Sequence, residues 1–189
     1  MNSIVANFTS LEGRIGRQSW WIGAIILLVV QIVVGLLILP LVGVSMMPNI
    51  AAIMADPNNV DAAAIANSVA ASMRTASWIG VVLALIFAYP IAALGVKRRH
   101  DKDNSGLDVW IFVGLLVLSP LLQALGLATT MAEVPMGGST VSMPVPSLVG
   151  VIVSIIVFVY LIYLLVVLGF LKGTTGPNQY GPDPLGGTA

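Results

Sequence analysis

The sequence contains no cysteine and very few charged residues. Without cysteine, disulfides, zinc–thiolate sites and thiol catalysis are excluded. Charged side chains make up 8% of the 189 residues, whereas an average soluble domain carries about 25%. Eight basic and eight acidic side chains are too few to cover a water-soluble protein of this length, so most of the exterior must face lipid. A soluble fold is excluded, and with a net charge of zero we expect no nucleic-acid partner.

In place of charge, the chain has four long apolar runs. A helix of about 20 apolar residues is about 30 Å long, which matches the hydrocarbon core of a bilayer. The runs contain no charged residue and are predicted as spans at residues 20–41, 78–96, 109–128 and 148–171. We therefore predict an all-α fold, an integral membrane bundle of four transmembrane helices. The whole chain, 1–189, is expected to form a single membrane domain that ends in a tail at 172–189.

Two details of these runs affect the assignment. Pro90 and Pro120 lie inside the second and third spans, where each removes a backbone hydrogen bond and kinks its helix without ending the span. The first apolar run continues to Met47 with no small-residue cleavage site close behind a short core. We therefore expect an uncleaved anchor rather than a signal peptide.

The basic residues are divided unequally between the two sides of the predicted membrane. Only Arg74 falls on one side. The others fall on the opposite side and are Arg14, Arg17, Lys97, Arg98, Arg99, Lys102 and Lys172. Since cytoplasmic loops are enriched in lysine and arginine, we expect both termini in the cytoplasm. The tryptophans lie at span ends, as expected of rings that sit at the headgroup level.

Small residues recur every fourth position in the second span, at Gly80, Ala84, Ala88 and Ala92. This spacing lines one helix face with small side chains and lets another helix approach closely, so we predict that the face is buried and that leucine at Ala88 disrupts packing. The alternative is that alanine is simply common on lipid-facing helices.

Of the two predicted outer loops, only the first has a pattern that predicts secondary structure. In the first, a helical pattern starts near Asp61 as an N-cap and continues through Ile65, Val69 and Met73. It indicates either a helix on the membrane surface or an extension of the second helix. The second loop, 129–146, is rich in glycine, proline and methionine and carries no structural prediction, while the tail is predicted to form turns.

Three polar segments flank the spans on the predicted cytoplasmic side. They are Gly13-Arg14-Ile15-Gly16-Arg17-Gln18-Ser19-Trp20, Lys97-Arg98-Arg99-His100-Asp101 with Ser105-Gly106, and Gly176-Pro177-Asn178-Gln179-Tyr180-Gly181-Pro182-Asp183-Pro184. In type and order they resemble the bacterial inner-membrane family catalogued as domain of unknown function 805. That family has Gly-Arg-x-x-Arg before the first helix, Arg-x-His-Asp followed by Ser-Gly, and an Asn-x-Tyr-Gly-Pro-Asp-Pro tail. The resemblance covers nearly the whole chain.

The resemblance implies a multi-pass protein of the bacterial inner (plasma) membrane, with both termini inside, and it supplies no activity or substrate. The chain departs from the family pattern in two places. The family usually has an apolar residue where this chain has Arg99. It commonly has two aromatic residues directly after Ser-Gly, where this chain has Leu107 and Asp108, with Trp110 displaced.

We predict that the three segments meet in one polar cluster. All of them adjoin helix ends on the same side, a bundle of helices packed 8–10 Å apart is only about 20 Å across, and the tail can cover that distance. Carboxylates of Asp101 and Asp183 near guanidinium groups would be held by charge-assisted hydrogen bonds. The predicted cluster, which is also a candidate site for a lipid headgroup, consists of Arg14, Arg17, Arg98, His100, Asp101, Asn178, Tyr180 and Asp183.

Acid–base or metal chemistry has only one place to begin, at His100 beside Asp101, because the chain has one histidine. Adjacent residues on a helix point about 100° apart, so the pair cannot chelate an ion unless tail residues complete the site. We therefore predict no catalytic residue, no metal site and no cofactor. A membrane enzyme that uses His100 and Asp101 is the least favoured interpretation.

Two functional interpretations remain. Basic residues from Lys97 to Lys102 either bind an anionic headgroup, at about 1 kcal/mol per cation, or merely determine topology. We favour a non-enzymatic scaffold or a subunit that binds a partner or a lipid, with a homo-oligomer or another membrane protein as partner. The alternative is an oligomeric transporter or channel for a small solute, although the larger polar groups within the spans are only Gln31, Gln123, Tyr160 and Tyr163.

Overall fold

The computed structural model describes residues 4–43, 62–136 and 139–186, and within them four helices are long and apolar enough to cross a membrane. This confirms the predicted all-α membrane fold. The elements in chain order are α1 (Ala6–Thr9), α2 (Arg17–Gly43), α3 (Ala62–His100), α4 (Leu107–Ala124), β1 (Thr129–Met136), β2 (Ser139–Pro146), α5 (Leu148–Leu164) and a π-helical turn that continues α5 (Leu165–Phe170).

The first two predicted spans lie within these helices, the fourth passes its helix end by one residue, and the third was predicted too long. It was expected to reach Ala128, whereas α4 ends at Ala124. Gly126 follows with a φ of 74°, which is the left-handed conformation that ends many helices. The amide N–H of Leu127 donates to the carbonyl of Leu122 at 2.8 Å and closes the helix end. Pro90 and Pro120 lie inside their helices, as predicted.

Helix α3, which contains the second predicted span, decides between the two interpretations of the first outer loop. It runs without interruption from Ala62 to His100, and its 39 residues exceed the roughly 20 that cross a bilayer. Ile65, Val69 and Met73 therefore belong to an extension of this helix and not to a separate surface helix. The predicted N-cap, Asp61, lies outside the described residues.

The described residues divide into two compact units. The polar unit comprises 4–32, 83–117 and 156–186, and the hairpin unit comprises 33–43, 62–82, 118–136 and 139–155. The single-domain organisation stays a prediction. In the polar unit, buried apolar side chains from all four long helices form one core: Ile15, Trp20, Leu94, Val96, Val109, Phe112, Leu164, Val167 and Leu168.

Glycines allow two close helix contacts in the polar unit. A Cβ atom added to Gly23 of α2 would lie 2.5 Å from Cδ1 of Leu94, and one added to Gly95 of α3 would lie 2.7 Å from Cγ1 of Val109. Both distances are too short for carbon atoms in contact. The helices therefore approach closely because these positions lack side chains, which is how helices commonly pack in membranes.

The hairpin unit contains two strands that the sequence did not predict. Strands β1 and β2 pair antiparallel, from Thr129 opposite Pro146 to Met136 opposite Ser139. Both strands contain β-branched residues, and Gly137-Gly138 lies between them in the sequence, which is a pattern typical of a hairpin. Ser147 then caps α5, because its Oγ accepts the amide N–H of Gly150 at 3.1 Å.

The small-residue face of α3 is buried to different degrees along its length. Ala92 is fully buried. Ala84 and Ala88 are half-buried and line a cavity of about 270 Å³ together with Gln31 and Val113. A leucine side chain at Ala88 could occupy this cavity, whereas at Ala92 the surrounding residues leave no exposed surface. Close packing of this face is therefore best tested at Ala92.

Leucine at Ala92 should destabilise the protein. Extra methylene groups in a filled core typically cost about 1–3 kcal/mol. Thermal unfolding in detergent should therefore begin at a lower temperature in Ala92→Leu than in wild type. Ala88→Leu is the matched control on the same face and should change the midpoint less. Equal midpoints for wild type and Ala92→Leu would show that this position is not closely packed.

Candidate functional site

The C-terminal end of the last helix lies in the polar unit, and Arg98 donates to it. Its Nε donates to the carbonyl of Leu168 at 2.8 Å, and its Nη2 donates to that of Leu171. The final carbonyls of a helix lack intrahelical partners and carry partial negative charge, which a buried cation stabilises. Arg98 is positioned for this because it lies within one turn of the end of α3, where its side chain is completely buried.

Two side chains from α2 donate hydrogen bonds to the carbonyl groups of Gly169 and Phe170, which lie between the two carbonyls bonded by Arg98. Nε1 of Trp21 donates to the carbonyl of Gly169 at 3.1 Å, and Nη1 of Arg17 donates to that of Phe170 at 3.2 Å. A Cβ on Gly169 would lie 2.8 Å from the Trp21 ring, so glycine is what admits the indole. Four consecutive carbonyls, from Leu168 to Leu171, thus receive donors from other helices.

A single carboxylate, that of Asp101, holds two buried guanidinium groups. Arg98 pairs with its Oδ2, and Nη2 of Arg14 lies 3.0 Å from its Oδ1. Both arginine side chains are 1% exposed and that of Asp101 is 5% exposed. The triad carries a net charge of +1. Backbone carbonyls stabilise the excess, because Arg14 also donates to Thr174 at 2.8 Å and to Gly176 at 2.8 Å.

The backbone of Asp101 fixes the start of the tail. Its carbonyl accepts the amide N–H of Thr174 at 2.8 Å and the Thr174 hydroxyl at 3.1 Å. A Cβ atom on Gly173 would overlap the Asp101 carboxylate and lie 2.8 Å from its carbonyl oxygen. The chain can therefore pass this point only with glycine at position 173.

His100 joins the first and third segments through three contacts. Its Nδ1 donates to the carbonyl of Gly13 at 3.1 Å, which requires the Nδ1–H form of the ring. Its ring stacks on that of Tyr180, with centroids 3.8 Å apart and planes 4° apart. Its carbonyl accepts Nδ2 of Asn178 at 2.9 Å. The tail thus folds back to His100, where the Tyr180 ring stacks on the imidazole and does not contribute a metal ligand.

The tail residues at this contact form a tight turn. Asn178 and Gly181 exchange backbone hydrogen bonds of 3.1 and 3.0 Å, and Oδ1 of Asn178 accepts the amide N–H of Tyr180 at 2.9 Å. Gly181 has a φ of 133°, which L residues rarely adopt. The Asn-x-Tyr-Gly pattern is thus what presents the Tyr180 ring to His100.

The structure brings six of the predicted cluster residues into one network of direct contacts and places two differently. The six are Arg14, Arg98, His100, Asp101, Asn178 and Tyr180. Arg17 is exposed and donates to the carbonyl of Phe170, and it makes no ion pair among the described residues. Asp183 makes no ion pair within the described residues, although the charge of Arg14 helps to lower the pKa of its carboxyl. Whether the cluster is a binding site stays a prediction.

Asp183 instead closes a turn within the tail. Its carboxylate accepts the amide N–H groups of Leu185 at 2.9 Å and Gly176 at 3.0 Å, and these bonds hold the pKa of the carboxyl below its usual range. A short carboxylate in a glycine- and proline-rich segment readily accepts hydrogen bonds from neighbouring backbone N–H groups.

The two departures from the family pattern pair with each other. Nε of Arg99 lies 3.1 Å from Oδ1 of Asp108, and the side chains are 13% and 14% exposed. The hydroxyl of Tyr163 donates to Oδ2 of Asp108 at 3.0 Å. The two positions at which this chain was expected to differ from the family pattern thus carry opposite charges in contact. The opposite charges of Arg99 and Asp108, at the two positions that differ from the family pattern, were the signal from which this ion pair could have been predicted.

Within the described ranges, no group of three or more histidine, aspartate or glutamate side chains is arranged to hold a metal ion. Both guanidinium groups of the triad have acceptors on every nitrogen atom. The arrangement can therefore fasten three chain segments together, and its charged atoms are already engaged within the chain.

Fold and site together define a multi-pass α-helical membrane protein whose three polar segments interlock in one unit. The family model described as protein of unknown function (DUF805) matches residues 8–182, and the chain belongs to this family. The resemblance based on the three segments is thereby confirmed. No match was found among the curated proteins or among the solved structures.

The Arg99–Asp108 pair should show strong coupling. Removing one partner leaves the other charge mostly buried without its counter-charge, at a cost of about 1–3 kcal/mol. We expect Asp108→Leu and Arg99→Leu each to lower the free energy of unfolding in detergent. The double variant should lose less than the sum of the two, with a coupling of roughly 0.5–3 kcal/mol. Purely additive losses would show that the pair contributes nothing as a pair.

Proposed function

We propose that this protein is a non-enzymatic scaffold of the bacterial inner membrane, with both termini in the cytoplasm. In this proposal the interlocked segments form a rigid platform beneath the membrane that binds a protein partner, either a second copy or another membrane protein. The observation that carries the proposal is the complete internal engagement of Arg14, Arg98 and Asp101. Catalysis needs reactive groups that face a substrate, whereas a platform needs charged groups that fix its own shape.

The membrane-embedded part of the polar unit also supports a scaffold over a transporter. A cavity of about 400 Å³ lies among Trp20, Phe112 and Leu164, and the only amide or charged side chain in its lining is Gln31. Ion and proton pathways normally contain ionisable groups within the membrane. An oligomeric small-solute transporter or channel remains the alternative proposal, with a pore between chains.

The proposed topology has a clean test because the chain contains no natural cysteine. A single cysteine at Gln179, exposed in the tail, should react with a membrane-impermeant maleimide only after cells are lysed. A cysteine at Thr140, exposed in the hairpin unit, should react in intact spheroplasts. The reverse pattern would contradict the proposed orientation.

The scaffold proposal predicts a partner contact that depends on the platform. A photo-reactive amino acid at Gln179 should form one discrete protein adduct in intact cells. Gly173→Ala should abolish it, since a methyl group there displaces the tail from Asp101. An adduct of twice the chain mass identifies a second copy as partner.

The matched control is Gly114→Ala, because a Cβ at Gly114 meets nothing within 4 Å. It should leave both the adduct and the thermal stability unchanged. An adduct that persists in Gly173→Ala, or no discrete protein adduct in the unaltered background, would contradict the scaffold. Solute flux in proteoliposomes would favour the transporter instead.

A further inference from the structure

A cleft of about 700 Å³ opens in the polar unit between the start of α2 and the tail. Arg17 and Trp21 line it from α2, and Lys172 and Thr175 line it from the tail. Its volume lies in the range of ordinary ligand sites, about 300–1,000 Å³. Among the basic residues from Lys97 to Lys102 that were predicted to bind a headgroup, Arg98 alone lines this cleft. Arg98 is already paired with Asp101.

The cleft has more positive than negative charge available to a ligand. Arg17 and Lys172 are exposed and make no ion pair in the part of the chain that the structure describes. Arg17 uses Nη1 for the Phe170 carbonyl, and its planar group offers further donors in a fork that suits phosphate. Of the two carboxylates in the lining, Asp101 holds two guanidinium groups and Asp183 accepts backbone N–H groups.

The same excess of cations affects a neighbouring lysine. Burial and the charges of Arg98, Arg99 and Arg17 lower the pKa of Lys102 to about 8. Burial is the largest of these causes, and the arginine charges add to it.

Apolar groups beside these cations favour an amphiphile over a soluble anion. Phe170 and Leu171 immediately precede Lys172 and are 60% and 49% exposed. The Trp21 ring packs edge-on against Phe170, with centroids 5.7 Å apart. These residues lie at the end of an apolar span, where aromatic rings meet headgroups and acyl chains. An occupant with a phosphate and an adjoining hydrocarbon chain would satisfy both parts.

We propose that this cleft binds the phosphate of an anionic phospholipid, held by Arg17 and Lys172, with the lipid's acyl chains against Phe170 and Leu171. Basic pockets at the membrane surface bind lipid headgroups in this way. The site adds a ligand to the protein and stands whether or not the platform also binds a protein partner. Its measurement in detergent is independent of membrane orientation.

The test measures lipid retention by the full chain, purified in mild detergent and titrated with phosphatidylglycerol, cardiolipin or phosphatidylcholine, by native mass spectrometry. Phosphatidylglycerol and cardiolipin should bind and raise the unfolding temperature, and phosphatidylcholine should not. With about 1 kcal/mol per cation, Arg17→Gln combined with Lys172→Gln should weaken binding roughly 30-fold. The lipid-free variant should still fold, because Arg17 and Lys172 are exposed and neither belongs to the buried triad.

Two control variants separate a defined site from diffuse attraction. Lys102→Gln removes a cation of the same unit that does not line the cleft, and Arg74→Gln removes the cation of the hairpin unit. Each should reduce binding less than twofold. A loss in Lys102→Gln equal to that in Lys172→Gln would overturn the site. Equal binding of phosphatidylcholine would also overturn it, and stabilisation by millimolar inorganic phosphate alone would assign the cleft to a soluble anion instead.

Discussion

The buried carboxylate of Asp101, placed between Arg14 and Arg98, is the interaction on which the polar unit depends. It neutralises one of two guanidinium groups that are almost fully removed from solvent. Replacing one member of such a group leaves an uncompensated buried charge, which costs about 3–5 kcal/mol. The three charged residues come from two separate segments, and the donors left on Arg14 hold the tail. One electrostatic requirement therefore ties three distant parts of the chain together.

The arginines at the end of the last helix supply hydrogen-bond donors to its terminal carbonyl groups. The π-helical turn from Leu165 to Phe170 leaves its final carbonyls without intrahelical donors. At a membrane surface these oxygens need partners from the protein or the headgroup layer. Arg98, Trp21 and Arg17 supply them. The cation that stabilises the helix end is itself stabilised by Asp101, so helix capping and segment docking share the same side chains.

The sequence predicted those features that follow from chain length and from the order of polar segments. Four spans follow from hydrophobic length, and the helix end at Ala124 was missed because Gly126 was not read as a cap. The meeting of the segments around Asp101 follows from their common side. The turn that Asp183 closes does not, because its carboxylate accepts backbone N–H groups of its own tail and forms no ion pair within the described residues. The Arg99–Asp108 pair is visible only when both departures are considered together.

The most direct test of this account is amide hydrogen exchange across the tail in Asp101→Asn. Asparagine keeps the size of the side chain and removes the charge that holds Arg14 and Arg98. The account predicts that the protected amides of Thr174 and Gly181, bonded to Asp101 and Asn178, exchange far faster in the variant, while the amides of α4 keep their protection. Unchanged protection of Thr174 and Gly181 in Asp101→Asn would show that the carboxylate does not organise the three segments.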